Sequence, residues 1–213
     1  MRRDDDAVVA QAAACPILVP TEHREDAMAV QTDIGGGTYA AHRYSPLQRA
    51  LHWTMAALIL TLIPAGIAMT NMGDGALKNA TYELHKSFGI IVFVLAVIRV
   101  AVRVGRGAPP EEASLTPFQR KASTLVHRLL YGLIVIVPLA GYVGTSMCCA
   151  PVNLFWTVPV PINLPGGFET AKLVFVVHKV GAIAMAVLVI GHIGAALMHA
   201  FVYRDGVMRR MWG

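Results

Sequence analysis

His178 and His192 stand fourteen residues apart in an apolar stretch that runs to about Phe201. At 100° per residue, fourteen helical steps return to within about 40° of the starting direction, so both imidazoles share one face. At 1.5 Å per residue they lie roughly 21 Å apart along the axis. Ionisable side chains on one stripe of a membrane helix point to function by default. No single metal ion can reach both, so as ligands they imply two centres, one near each membrane face.

The partners come from four apolar blocks, at 47–70, 82–104, 124–147 and 172–202. Each exceeds the ~20 residues needed to cross a hydrocarbon core of about 30 Å. The chain of 213 residues is 55% hydrophobic and 15% charged, against about 25% charged in soluble domains. The expected fold is all-α, a four-transmembrane-helix bundle forming one domain over residues 41–213. Residues 1–40 have mixed charge, prolines and a Gly-Gly-Gly run. Their only apolar stretch, at 7–14, is too weak for a signal sequence, and the Asp4–Asp6 run replaces a basic n-region. They read as a disordered cytoplasmic extension or a start codon placed too early.

Lys and Arg total 18 against 13 Asp and Glu. The basic residues cluster before the first helix, between the second and third, and at the C-terminus. That is membrane bias and not a nucleic-acid signature. The connections 72–81 and 148–170 hold one Lys between them. The positive-inside rule then places both termini and the middle loop in the cytoplasm. On this orientation His85 and His178 are both outer, and His52 and His192 are both inner.

Structural zinc sites prefer four converging ligands, and cation carriers place carboxylates in mid-membrane. Here the helix interiors lack acids, and Glu83 lies only at a rim. Two imidazoles at one depth on facing helices suit the axial positions of a haem iron. Two haem b groups are therefore expected, held by His52 with His192 and by His85 with His178. Gly89, Gly181, Gly191 and Gly194, close to these ligands in sequence, allow close backbone approach or helix packing. Lys86, Lys179, Arg49 and Arg99 are candidate propionate partners; equally, they are interfacial anchors that snorkel. Pro64 and Pro138 are expected to kink the first and third helices. His127 and His199 read as rim hydrogen-bonding groups, with quinone or propionate contact as the alternative. Cys148 and Cys149 are adjacent, and neighbours rarely bridge. They read as small packing residues, with a redox-sensitive pair as the alternative.

RYSPLQRALHW, LHKSFGIIVFVLAVIRVAVR, HRLLYGLIVIVPLAGY and HKVGAIAMAVLVIGHIGAALMHAFVYRDGVMRRM resemble the four helices of the prokaryotic cytochrome b-561 family. The resemblance runs from Arg43 to Gly213, about four fifths of the chain. It implies low-spin b haems and the same bis-histidine pairing, with His52 and His85 as ligands from the first and second helices. It further implies single-electron traffic between a periplasmic donor, superoxide being one, and the quinone pool. The 40-residue extension and the Cys148–Cys149 pair depart from the family pattern. Alternatives are a membrane-anchor cytochrome b subunit of a larger oxidoreductase, such as a hydrogenase or formate dehydrogenase, and a histidine-based cation transporter. Membrane lipid surrounds the bundle. Helix association in lipid admits a homodimer, although no interface motif stands out.

Overall fold

The computed structural model describes residues 43–149, 152–160 and 164–212. The expectation for residues 1–40 lies outside them. Helix α1 spans Pro46–Asn71, α2 Ala76–Arg106, α3 Pro117–Cys148 and α4 Phe168–Met198. A π-helical turn, His199–Tyr203, extends α4, and a short helix α5, Arg209–Trp212, follows. Among the described residues four helices are long and apolar enough to cross a membrane.

Two of the helices, α1 and α3, extend beyond the apolar blocks at their cores, because their starts are capped by polar chemistry that hydropathy does not register. Ser45 accepts from the Gln48 backbone N–H while the Gln48 side chain accepts from the Ser45 N–H, with Pro46 at the first helical position. Thr116, Gln119 and Pro117 repeat the device at α3. Both capping boxes satisfy N–H groups that a helix start leaves orphaned. At α2 the helix begins six residues before its apolar block, so Lys78 belongs to the helix and pairs with Asp74 at 2.8 Å. Pro64 and Pro138 lie inside helices that remain α-helical through them.

Successive helices pack side by side: α1 on α2, α2 on α3, and α3 on α4. Helix α4 makes no extended close approach to α1 or α2. The apolar core joins Met55, Ile59, Val92, Ala96, Ile134, Val137 and Met185. Met185 lies seven residues from both His178 and His192, so this core occupies the middle depth between them.

The two ends of the bundle differ. At the hairpin end, strands β1 (Asn153–Leu154) and β2 (Val158–Pro159) form an antiparallel pair where the sequence suggested only loop. Phe155 and Trp156 at its turn have φ of 48° and 64°, a region that bulky side chains seldom occupy. The turn is pinned to α2. The Phe155 N–H donates to the fully buried Ser87 hydroxyl at 2.8 Å, and Phe155 packs edge-on against Phe88. At the terminal end, α5 folds back over the start of α1. Trp53 Nε1 donates to the Met211 carbonyl at 3.0 Å, and the Trp53 and Trp212 rings meet edge to face. Arg210 reaches the carbonyls of Pro109 and Pro110.

Candidate functional site

Two pairs of imidazoles face each other across the gap beside α4. His85 on α2 and His178 on α4 have ring centroids 6.1 Å apart, with planes at 80°. His52 on α1 and His192 on α4 are 6.2 Å apart, with planes at 83°. All four rings belong to half-buried residues.

These separations test whether a metal fits. An imidazole nitrogen binds a transition metal at about 2.0 Å, and the ring centroid lies roughly 1.1 Å further, so opposed axial imidazoles place their centroids about 6.3 Å apart. Both pairs meet that value. Direct ring packing or hydrogen bonding would draw them closer, as with His127 and His192, whose centroids are 5.2 Å apart. The helices agree: α4 stands off from α1 and α2, the two helices that supply the opposing rings. A Cβ at Gly191, beside His192, would meet no protein atom within 4 Å, nor would one at Gly89 or Gly194. Among the described residues no three of His, Cys, Asp and Glu converge. The donor set is two opposed imidazoles per centre, which suits an iron already held in a macrocycle and not a four-ligand zinc site.

Each ring is held by a neighbour. His178 Nδ1 lies 2.8 Å from the Val137 carbonyl, which can only accept. Its proton is therefore on Nδ1, and Nε2 is left with a free lone pair. Gly141 makes this contact possible. It lies one turn beyond Val137, where a side chain would cover that carbonyl. A Cβ there would come within 2.9 Å of His178 Nδ1. Gly66 of α1 similarly backs His85, at 3.2 Å from Cε1. Among the described residues His85 Nδ1 is buried without a hydrogen-bond partner. At the other centre, Arg99 Nη2 lies 3.1 Å from His52 Nδ1. Arg99 also donates to the Gln48 carbonyl and lies over the Tyr131 ring.

The remaining expected contacts fall differently. Lys86 is engaged by Glu83 one turn away. Lys179 is exposed, and Arg49 is half-buried one turn below His52; neither side chain forms a hydrogen bond or ion pair among the described residues. Gly181 packs against Val137 and not against a histidine. His127 Nδ1 donates to the Ser123 carbonyl at 2.7 Å. His199 pairs with Asp205 at 2.6 Å, locking the π turn to the C-terminal segment. Burial alone would raise the Asp205 carboxyl, but hydrogen bonds from His199, the Val207 N–H and Ser114 hold it below the ordinary carboxylate value. Cys148 and Cys149 are joined by a disulfide. This corrects the expectation that adjacent cysteines would stay unbridged. The strain that disfavours such bridges does not forbid them where the chain leaves a helix, as it does here.

Sequence reasoning missed Gly66 and Gly141. Both lie on helices other than those of the rings they touch, and their only signal was small residues in apolar helices. The chain was also compared with known proteins. A family model described as prokaryotic cytochrome b561 matches residues 43–213. Cytochrome b561 homolog 2 of Escherichia coli (strain K12) is 31% identical over 83% of this chain and 94% of its own length. Cytochrome b561 homolog 1 of the same organism is 29% identical over 80% and 97%. A Yersinia pestis protein named "Probable superoxide oxidase CybB" is 25% identical over 79% and 95%. With its four apolar helices, the chain is a multi-pass membrane b-type cytochrome that belongs to the prokaryotic cytochrome b561 family.

Proposed function

We propose that this cytochrome holds two b haems, one between His85 and His178 and one between His52 and His192, and carries single electrons across the membrane. The observation that carries the proposal is the pair of centroid separations, 6.1 and 6.2 Å, across gaps bordered by α4. A bound haem supplies a reversible one-electron couple. The protein's part would be to hold each haem between two histidines, which would leave no place for a substrate on the metal and would favour electron transfer over oxygen activation. The Val137 carbonyl fixes the tautomer and orientation of His178. Arg99 places a cation against His52. Met55, Ile59, Val92, Val137 and Met185 keep water out of the roughly 21 Å between the two depths.

The terminal end carries Arg43, Arg49, Arg99, Arg103, Arg106 and Arg210, which supports a cytoplasmic placement for both termini. The hairpin end then faces the periplasm and its electron donor. The name of the Yersinia relative makes superoxide the first donor to try, with quinone as acceptor. The test is a reduced-minus-oxidised spectrum with haem quantitation on purified protein. We expect a b-type band and two haems per chain. His192→Ala should lose one haem and keep most of the other. Two haems retained in that variant would refute the pairing. A large periplasmic partner co-purifying in stoichiometric amount would refute the stand-alone carrier.

A further inference from the structure

We infer that the Cys148–Cys149 disulfide is a dithiol-oxidising site that delivers its electrons to the haem between His85 and His178. The inference rests on the haem reading above.

A structural role does not account for this bond. Cross-links stabilise by closing loops in the unfolded chain, and the effect grows with the number of residues enclosed. Here the two residues are adjacent, so no loop lies between them. Its position suits a redox role instead. Cys149 is exposed where α3 ends, while Cys148 is half-buried with Sγ 3.5 Å from the Gly144 carbonyl. Gly141, Gly144 and Cys148 follow at i, i+3 and i+7, one stripe of α3. Along that stripe, Gly141 touches the His178 ring and Gly144 touches Phe175, one turn before His178. Seven residues of helix put the disulfide about 10 Å above the ligand ring. The packed Phe175 ring lies beside that path. Electrons cross such distances through packed protein by tunnelling.

The chemistry balances. A thiolate of an incoming dithiol attacks the accessible Cys149 Sγ, and Cys148 leaves as a thiolate. The substrate's second thiol resolves the mixed disulfide. The substrate is oxidised to its disulfide, and Cys148 and Cys149 are left as two thiols. These re-form their bond by releasing two protons to the water at the hairpin end and two electrons, one at a time, to the nearby haem. Quinone is the final oxidant.

The experiment uses the full-length holoprotein, anaerobic and in lipid nanodiscs, with dithiothreitol as the dithiol. Haem reduction is followed at the b-type band in wild type and in the double variant Cys148→Ser, Cys149→Ser. Dithiothreitol should reduce the wild type at least tenfold faster than the variant, whereas dithionite should reduce both alike. Equal rates with dithiothreitol would overturn the proposal. Maleimide trapping gives a second readout in wild type alone. Three thiols, Cys15 among them, should label after dithiothreitol is removed, and one after a soluble ubiquinone analogue is added. All three labels persisting after quinone would also overturn it. If dithionite reveals no b-type band in the wild type, the haem reading falls and takes this inference with it. A normal band with unchanged dithiothreitol kinetics sinks this inference alone.

Discussion

Gly141→Ala separates a site effect from a stability effect. The substitution adds one methyl group, 2.9 Å from His178 Nδ1 and 3.0 Å from Cε1. Ordinary contact begins at about 3.4 Å, so ring or helix must yield by about half an ångström. The ring cannot retreat freely, because Nδ1 is bonded to the Val137 carbonyl at 2.8 Å. Overpacking costs about 1–3 kcal/mol. Replacing a mid-helix glycine by alanine returns about 1 kcal/mol. Global stability should therefore change by no more than about 2 kcal/mol. A half-ångström shift, however, is the tolerance of a working ligand constellation. Losing an orienting hydrogen bond of this kind typically weakens metal affinity about 10- to 100-fold. The expected result is a protein that purifies as a folded bundle but carries close to one haem per chain, read by pyridine haemochromogen against protein concentration. Gly105→Ala, at the exposed end of α2 where a new Cβ meets nothing within 4 Å among the described residues, is the control and should keep both haems. Full haem content with an unshifted spectrum in Gly141→Ala would refute the reasoning.

Gly66→Ala should be milder: its Cβ would stand 3.2 Å from His85 Cε1, and His85 has no hydrogen bond to lose. It should keep more haem than Gly141→Ala, and the opposite order would count against the assigned contacts. Ser87→Ala strips the Phe155 N–H of its acceptor, a loss of about 1–3 kcal/mol. Hydrogen exchange at Phe155 should accelerate while the haem spectrum holds, and unchanged protection would contradict the pinning of the hairpin. The depressed Asp205 carboxyl makes the C-terminal tether acid-labile. Its contribution is present above the ordinary carboxyl value of 3.8 and is lost as pH falls through the lower folded value. Asp205→Asn should expose the chain after Arg204 to trypsin at neutral pH, and wild-type resistance in that variant would exclude the tether.

Much of the site was legible in residue types and spacing. His178 and His192 fall on one face because fourteen residues nearly complete four helical turns. The charge bias of the loops sorted His52 and His85 by depth without any contact being known. The helix ends were less legible. Ser45 and Thr116 extend α1 and α3 through hydrogen bonds that a hydropathy average cannot register. The glycines that back the rings escaped the sequence for a different reason. Sequence proximity pointed to Gly181, Gly191 and Gly194, yet the residues that touch ligand rings are Gly66 and Gly141, on other helices.

The sequence by itself determined four apolar spans, two depths of histidine and a candidate ligand set without carboxylates, since these follow from hydropathy, helical period and side-chain chemistry. Only the tertiary structure decided which helices close on one another and which stand apart. Helix rotation and spacing depend on side chains meeting across distant parts of the chain, and no local pattern encodes them. That arrangement sets the 6.1 and 6.2 Å separations, lets Gly141 uncover the Val137 carbonyl, and aligns Cys148 with His178 along one stripe of α3.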